Sequence, residues 1–169
     1  MKLDWNFDEL WDHISGQAHG GDFSIHGPCH WHRVKENGLA VARFSGANEK
    51  VVRLFALFHD SRRFNDGHDP GHGLRGAEFA KELRGDLFDV SDEEFELLFY
   101  ACQWHTDQRH HDNATIGTCW DSDRLDLGRV NMRPDPKYLN TAAAKHAAQK
   151  GSVESLKNLD ADHFEKPKR

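Results

Sequence analysis

The segment "ANEKVVRLFALFHD", Ala47 to Asp60, is apolar almost without interruption from Val51 to Phe58 and then turns abruptly polar. At 3.6 residues per turn Val52, Phe55, Ala56 and His59 fall on one face, so the segment reads as a helix buried in a protein core. Its end is unusual. "LFHDSRRFNDGHDPGHG" (Leu57–Gly73) offers an imidazole and a carboxylate side by side and then more of both. Either the helix simply ends in a polar loop, or a metal ion sits at its end.

The segments on either side carry the same period and little else. "NFDELWDHI" (6–14) reads as a short entry helix, and "GPCHWHRVKENGLAVARFSG" opens on Gly27-Pro28 and closes at Gly46, as helices do. "GLRGAEFAKELRG" (73–85) is a further helix. "SDEEFELLFYACQWHT" starts with a capping box, Ser91 to Glu94, and its face Phe95, Leu98, Phe99, Cys102 runs on to His105. "NATIGTCWDSDRLDLGRV" (113–130) places Cys119, Asp123 and Leu127 in register, and "KYLNTAAAKHAAQK" (137–150) follows Pro134 and Pro136. Nothing alternates at period two for long. The expected fold is an all-α, single-domain helical bundle of about seven helices.

Bulk properties narrow the function. The 169 residues suit one domain with one core. A net charge of -6 argues against a general nucleic-acid binder, while leaving room for a small phosphorylated substrate held by local cations. No apolar run is long enough to span a bilayer, and the acidic N-terminus lacks the basic start and apolar centre of a secretory signal. Three cysteines without a CxxC pair suggest a reducing, cytoplasmic location. Oligomeric state is left open.

The 13 histidines are not one tract; they recur where helices start or stop. Singly, each has an ordinary reading. His30 could be a surface residue, His72 a helix cap, His105 a dipole partner, and Asp121, Asp123 and Asp126 one solvated acidic face. Their order is what points to chemistry: His30, then His59-Asp60, His72, His105 and finally Asp123, each on or beside a helix. Imidazoles with carboxylates suit divalent metals, and an aspartate with two oxygens can bridge a pair.

This ordered set resembles the HD domain superfamily of metal-dependent phosphohydrolases, named for a His-Asp doublet. The matching text is "HWHRV" (His30–Val34), "LFALFHD" ending in His59-Asp60, and "DSDRLDLG" (121–128), covering roughly residues 26–130. The resemblance implies that His30, His59, Asp60 and Asp123 bind one metal, with Asp121 as fallback for Asp123. "HGLRGAEFA" (72–80) and "YACQWHTD" (100–107) resemble the two-metal branches. That likeness implies a second ion on His72 and His105, with Asp60 bridging. The chain departs from the cyclic-dinucleotide branch in lacking its GYP segment.

The expectation is therefore an HD domain over 26–150 after an N-terminal helical extension (1–25), with a C-terminal tail (151–169) that packs on the domain or frays from it. It would hydrolyse a small phosphoester, nucleotide-like or sugar phosphate, with a metal-activated water on one or two divalent ions among Mn, Fe, Ni, Co, Mg and Zn. Asp60, Arg62, Arg63 and His105 are the expected catalytic residues. One of the arginines would grip phosphate, Arg63 being favoured as the freer to turn inward. Arg33 is expected to buttress a carboxylate, and Trp104, Trp120, His110 and His111 to flank the mouth. A di-iron oxygenase on the same scaffold and a non-catalytic metal- or ligand-binding module are the alternatives.

Overall fold

The computed structural model describes residues 4–164. Among the described residues there are seven α-helices: α1 (Phe7–Ser15), α2 (Pro28–Ser45), α3 (Glu49–Phe58), α4 (His72–Leu83), α5 (Asp92–Trp104), α6 (Ala114–Arg124) and α7 (Ala142–Lys150). Among the described residues there is no strand, only one isolated bridge between Arg84 and Phe88. No helix among them is long and apolar enough to cross a membrane.

Local chemistry sets the helix starts. Asn6, Asn48 and Asn113 each accept two backbone N–H groups of the turn that follows. Pro28 occupies the first turn of α2, and Ser91 and Glu94 close a reciprocal cap on α5. Each satisfies donors that a helix start would otherwise leave open. Gly46, at φ 74°, ends α2 in the left-handed conformation that favours glycine.

The central helix is α3. Val51, Val52 and every residue from Leu54 to Phe58 are fully buried, because α2, α5 and α6 pack around it and α4 covers its end. Burying one such Leu or Phe stabilises the fold by about 1.5–3 kcal/mol. A smaller apolar cluster joins Val41 and Phe44 of α2 to Leu139, α7 and Leu156. The tail packs there as far as the described chain goes, with Phe164 edge-on to Phe44 at 5.2 Å. Its last residues, 165–169, lie outside the described residues.

Two expected helices are shorter than their sequence pattern. The segment 113–130 breaks after Arg124, and a 3-10 turn (Leu127–Val130) completes it. The segment 137–150 becomes helical only at Ala142. The cause of the second break is Asp121, whose carboxylate accepts the backbone N–H groups of Asn140 and Thr141, the Asn140 amide and the Thr141 hydroxyl. That leaves Thr141 as the N-cap of α7.

Candidate metal centre

The core helices end together at one pole of the bundle. His59 and His105 are the C-cap residues of α3 and α5, His72 is the first residue of α4, and Asp123 lies in the last turn of α6. His30 comes in from the first turn of α2. Two glycines allow this convergence. A Cβ on Gly76 would strike the Phe58 carbonyl, and one on Gly73 would strike the Cys102 carbonyl and crowd the His105 ring. The start of α4 therefore abuts the ends of α3 and α5, where the histidines are.

Four imidazoles point inward in one orientation, Nδ1 outward and Nε2 toward the centre. The Nδ1–H of His59 donates to the Phe55 and Ala56 carbonyls, that of His105 to Cys102 and that of His72 to Asp69. Nδ1 of His30 donates to the Asp126 carboxylate at 2.6 Å. The Nε2 atoms face inward and meet in pairs: His30 and His59 at 3.2 Å, His72 and His105 at 3.0 Å.

The carboxylates join the pairs. Asp123 Oδ1 lies 3.2 Å from His30 Nε2 and 3.7 Å from His59 Nε2. Asp60 turns Oδ2 to that pair, 3.5 Å from each Nε2, and Oδ1 to the other pair, 3.2 Å from His72 and 3.5 Å from His105. Donors about 2.1 Å from an ion stand roughly 3.0–3.5 Å apart, so both groups have the spacing of a coordination shell.

A bound cation would satisfy what hydrogen bonds leave open. Among the described residues Asp60 Oδ1 and Asp123 Oδ1 are buried without a hydrogen-bond partner. The buried His/Asp groups can hold a metal ion: His30, His59 and Asp123 form one set, and Asp60, His72 and His105 another.

The electrostatics describe the same demand. Burial keeps His59 neutral, its pKa lowered to about 3. Burial also opposes a charge on His30, but hydrogen bonds to Asp123, Asp126 and Asp60 outweigh it and raise the pKa to about 10. A proton there takes the place of a cation. Asp60 is held well below the carboxylate range, because hydrogen bonds from His105, His26 and His30 overcome its burial.

No family model, characterised protein or solved structure matches the chain.

The structure thus brings His30, His59, Asp60, His72, His105 and Asp123 together and separates other candidates from them. Arg63 turns inward, Nη1 lying 3.2 Å from His72 Nε2 and 3.8 Å from Asp60 Oδ1, while Nε and Nη2 donate to the Asn65 and Gly67 carbonyls. Arg62 does not join it. Its guanidinium lies 3.9 Å above the Phe79 ring, since successive residues leaving α3 point in different directions. Asp121 is buried rather than on an exposed side, and it faces α7. The three acidic residues of α6 and its end therefore do three jobs instead of forming a solvated face. Trp120 is not at a mouth: it is fully buried, its indole N–H donating to the Ala101 carbonyl. His111 packs edge-on to that ring, and His110 Nε2 bonds the Lys137 carbonyl. Trp104 packs against the core from α5.

Two residues of the centre escaped sequence reasoning. His26 Nδ1 lies 3.1 Å from Asp60 Oδ2; the residue's own N–H and C=O are pinned by Ser24 Oγ and the Trp31 indole. The available signal was its spacing, four residues before His30. Asp126 bridges His30 Nδ1 to Arg33 Nε at 2.7 Å, so the carboxylate that Arg33 buttresses is the one that orients His30.

Proposed function

We propose that the chain is an HD-type metal-dependent phosphohydrolase that cleaves a small phosphoester at two divalent ions bridged by Asp60. The observation that carries this reading is the division of Asp60. One oxygen faces the His30–His59 pair and the other the His72–His105 pair. The order of the motifs along the chain supports the HD assignment. The donor set, rich in imidazole, favours a transition ion such as Mn, Fe, Co, Ni or Zn over Mg.

Bound ions would polarise a phosphoryl oxygen and acidify a water at neutral pH. The protein's own groups prepare the place for both. Asp126, Asp69 and the helix-end carbonyls of α3 and α5 lock the four imidazoles with Nε2 inward. His26 steadies Asp60 from the outer side. Arg63, held by two backbone carbonyls, presents a guanidinium beside the His72–His105 pair, where it meets the charge of a phosphoryl group. His105 contributes as a ligand in this reading.

The test is elemental analysis of protein purified without added metal, followed by a phosphoester panel under each metal. Bound transition metal and turnover of a phosphoester are expected. Arg63→Lys should lower kcat/KM by about tenfold, roughly 1.4 kcal/mol, with metal content unchanged. No turnover with any metal, together with oxygen consumption by iron-loaded protein acting on an organic substrate, would replace this reading with the oxygenase one.

A further inference from the structure

The proposed ligands are not equally enclosed. The side chains of His30, His59, Asp60, His72 and His105 are at most 8 % exposed, whereas that of Asp123 is 17 % exposed. His26, beside the same set, is 16 % exposed. Solvent therefore reaches the centre along Asp123, on the side of the His30–His59 pair.

Arg129 stands at that opening, in the 3-10 turn Leu127–Val130 that follows α6. Its side chain is nine-tenths buried. One corner is tied to the turn, Nη1 donating to the Asp126 carbonyl at 2.8 Å. Nη2 lies 3.6 Å from Asp123 Oδ1, beyond hydrogen-bond reach. Nε is buried and has no partner among the described residues. Arg124, at the end of the same helix, shows what a structural arginine looks like: its guanidinium donates to the His105, Gln108, Arg109 and Tyr138 carbonyls.

Neither carboxylate beside Arg129 requires its charge. Asp126 already accepts from His30 Nδ1 and Arg33 Nε. Asp123 faces His30 Nε2, and in the metal-loaded protein it would face an ion. A guanidinium next to a cation site opposes the ion, and burying it with unused donors is costly. Both costs are offset if an anion joins the ion and accepts from the unused edge.

We propose that Arg129 is a second anion-binding residue of the centre, standing on the His30–His59–Asp123 side as Arg63 stands on the His72–His105 side. Its free edge, Nε and Nη2, donates to an oxygen of the phosphoryl group held there. This rests on the phosphohydrolase reading and adds to it that the anion is gripped from two sides.

The test is calorimetric binding of inorganic phosphate to the manganese-saturated full chain, in wild type, Arg129→Met and Arg129→Lys, with manganese titrated separately in the absence of phosphate. Arg129→Met keeps the length and loses the donors. It should weaken phosphate binding at least about tenfold, the size of one lost hydrogen bond to a charged group. It should bind manganese no more weakly than wild type, since a neighbouring positive charge has gone. Arg129→Lys keeps the charge but not the fork, and its phosphate affinity should fall between the two. Unchanged phosphate affinity in Arg129→Met, or weakened manganese binding with phosphate binding to the saturated protein intact, makes the arginine a support for Asp123 and overturns the proposal. If Arg129→Met does not fold, wild-type phosphate affinity in Arg129→Lys overturns it. A wild-type protein that binds no phosphate overturns it as well. Turnover of phosphoesters by the wild type separates the two readings. Turnover with phosphate binding indifferent to Arg129 leaves the hydrolase standing and removes the anion residue. Phosphate binding that depends on Arg129, with no ester turned over under any metal, keeps the anion residue and overturns the hydrolase.

Discussion

Asp121 and Asp123 are two residues apart on one helix, which turns them about 200° from each other, and replacing each by asparagine should have different consequences. Asp121 accepts four hydrogen bonds, from the Asn140 N–H (2.7 Å) and amide (3.0 Å) and from the Thr141 N–H and hydroxyl (both 2.8 Å). An asparagine there keeps one carbonyl oxygen for the Asn140 donors and sets an NH2 against the Thr141 pair. The threonine hydroxyl can rotate to accept, but the Thr141 N–H loses its acceptor. A buried donor left unsatisfied costs about 1–3 kcal/mol. Lost charge assistance on the other bonds brings the estimate to about 2–3 kcal/mol, or a fall in Tm of roughly 5–10 °C for a chain of this size. Metal content should not change, because Asp121 faces away from the centre. Asp123→Asn removes one of the two carboxylates that face the Nε2 atoms of the buried imidazoles. Metal affinity should fall at least about a hundredfold, as expected for loss of a first ligand when outer partners alone are worth 10–100-fold. The metal-free protein should also lose stability, since the buried, protonated His30 is left with one carboxylate fewer. Thermal melts in chelator and elemental analysis of both variants measure this. An Asp121→Asn protein that folds normally but loses its metal, or an Asp123→Asn protein that keeps it, would refute the assignment of faces on α6.

Three further outcomes are expected. Wild-type protein should saturate with about two ions, whereas His72→Ala and His105→Ala should each stop at about one; a wild type saturating at one ion by titration would remove the second set. Metal affinity should depend on pH through His30, whose pKa in the metal-free fold is raised to about 10. Below that value the ion must displace a proton, so affinity should rise about tenfold per pH unit from neutral upward, with a proton released per ion. The raised pKa also means that the metal-free fold holds this stabilisation fully below about pH 6.5 and loses it as pH climbs through 10; a melting temperature in chelator that rises over that interval would contradict the His30 environment. Finally, Gly76→Ala should push α4 off the Phe58 carbonyl, lowering stability by about 1–3 kcal/mol and weakening metal binding; an unchanged melt would show that the close approach is not needed.

The all-α class and most of the helices were legible in the residues themselves. Apolar periodicity marks the buried face of α3, and caps such as Asn48 and the Ser91–Glu94 pair mark where helices start. These signals are local, and so they survive without knowledge of the partner helices. They also placed histidines at the ends of apolar faces, because His59 and His105 continue the stripes of α3 and α5. The same period could not tell where the patterns at 113–130 and 137–150 would break, since both breaks depend on contacts made elsewhere. Asp121 reaches across to Asn140 and Thr141 to stop the latter.

Which helix ends meet is likewise a tertiary matter. His30 finds Asp126 across 96 positions of sequence and His26 finds Asp60 across 34. Nothing in the spacing of either pair announces the contact. The turn after the His-Asp doublet decides that Arg63 faces His72 while Arg62 lies on Phe79, because adjacent residues in a turn point in different directions and packing selects which one enters. The residues alone therefore determined a helical core and the kinds of ligand at its ends, since helical period and capping act over a few residues. Only the packed structure decided which imidazoles meet and the two-sided placement of Asp60, since each depends on backbone and side-chain groups brought together from distant parts of the chain.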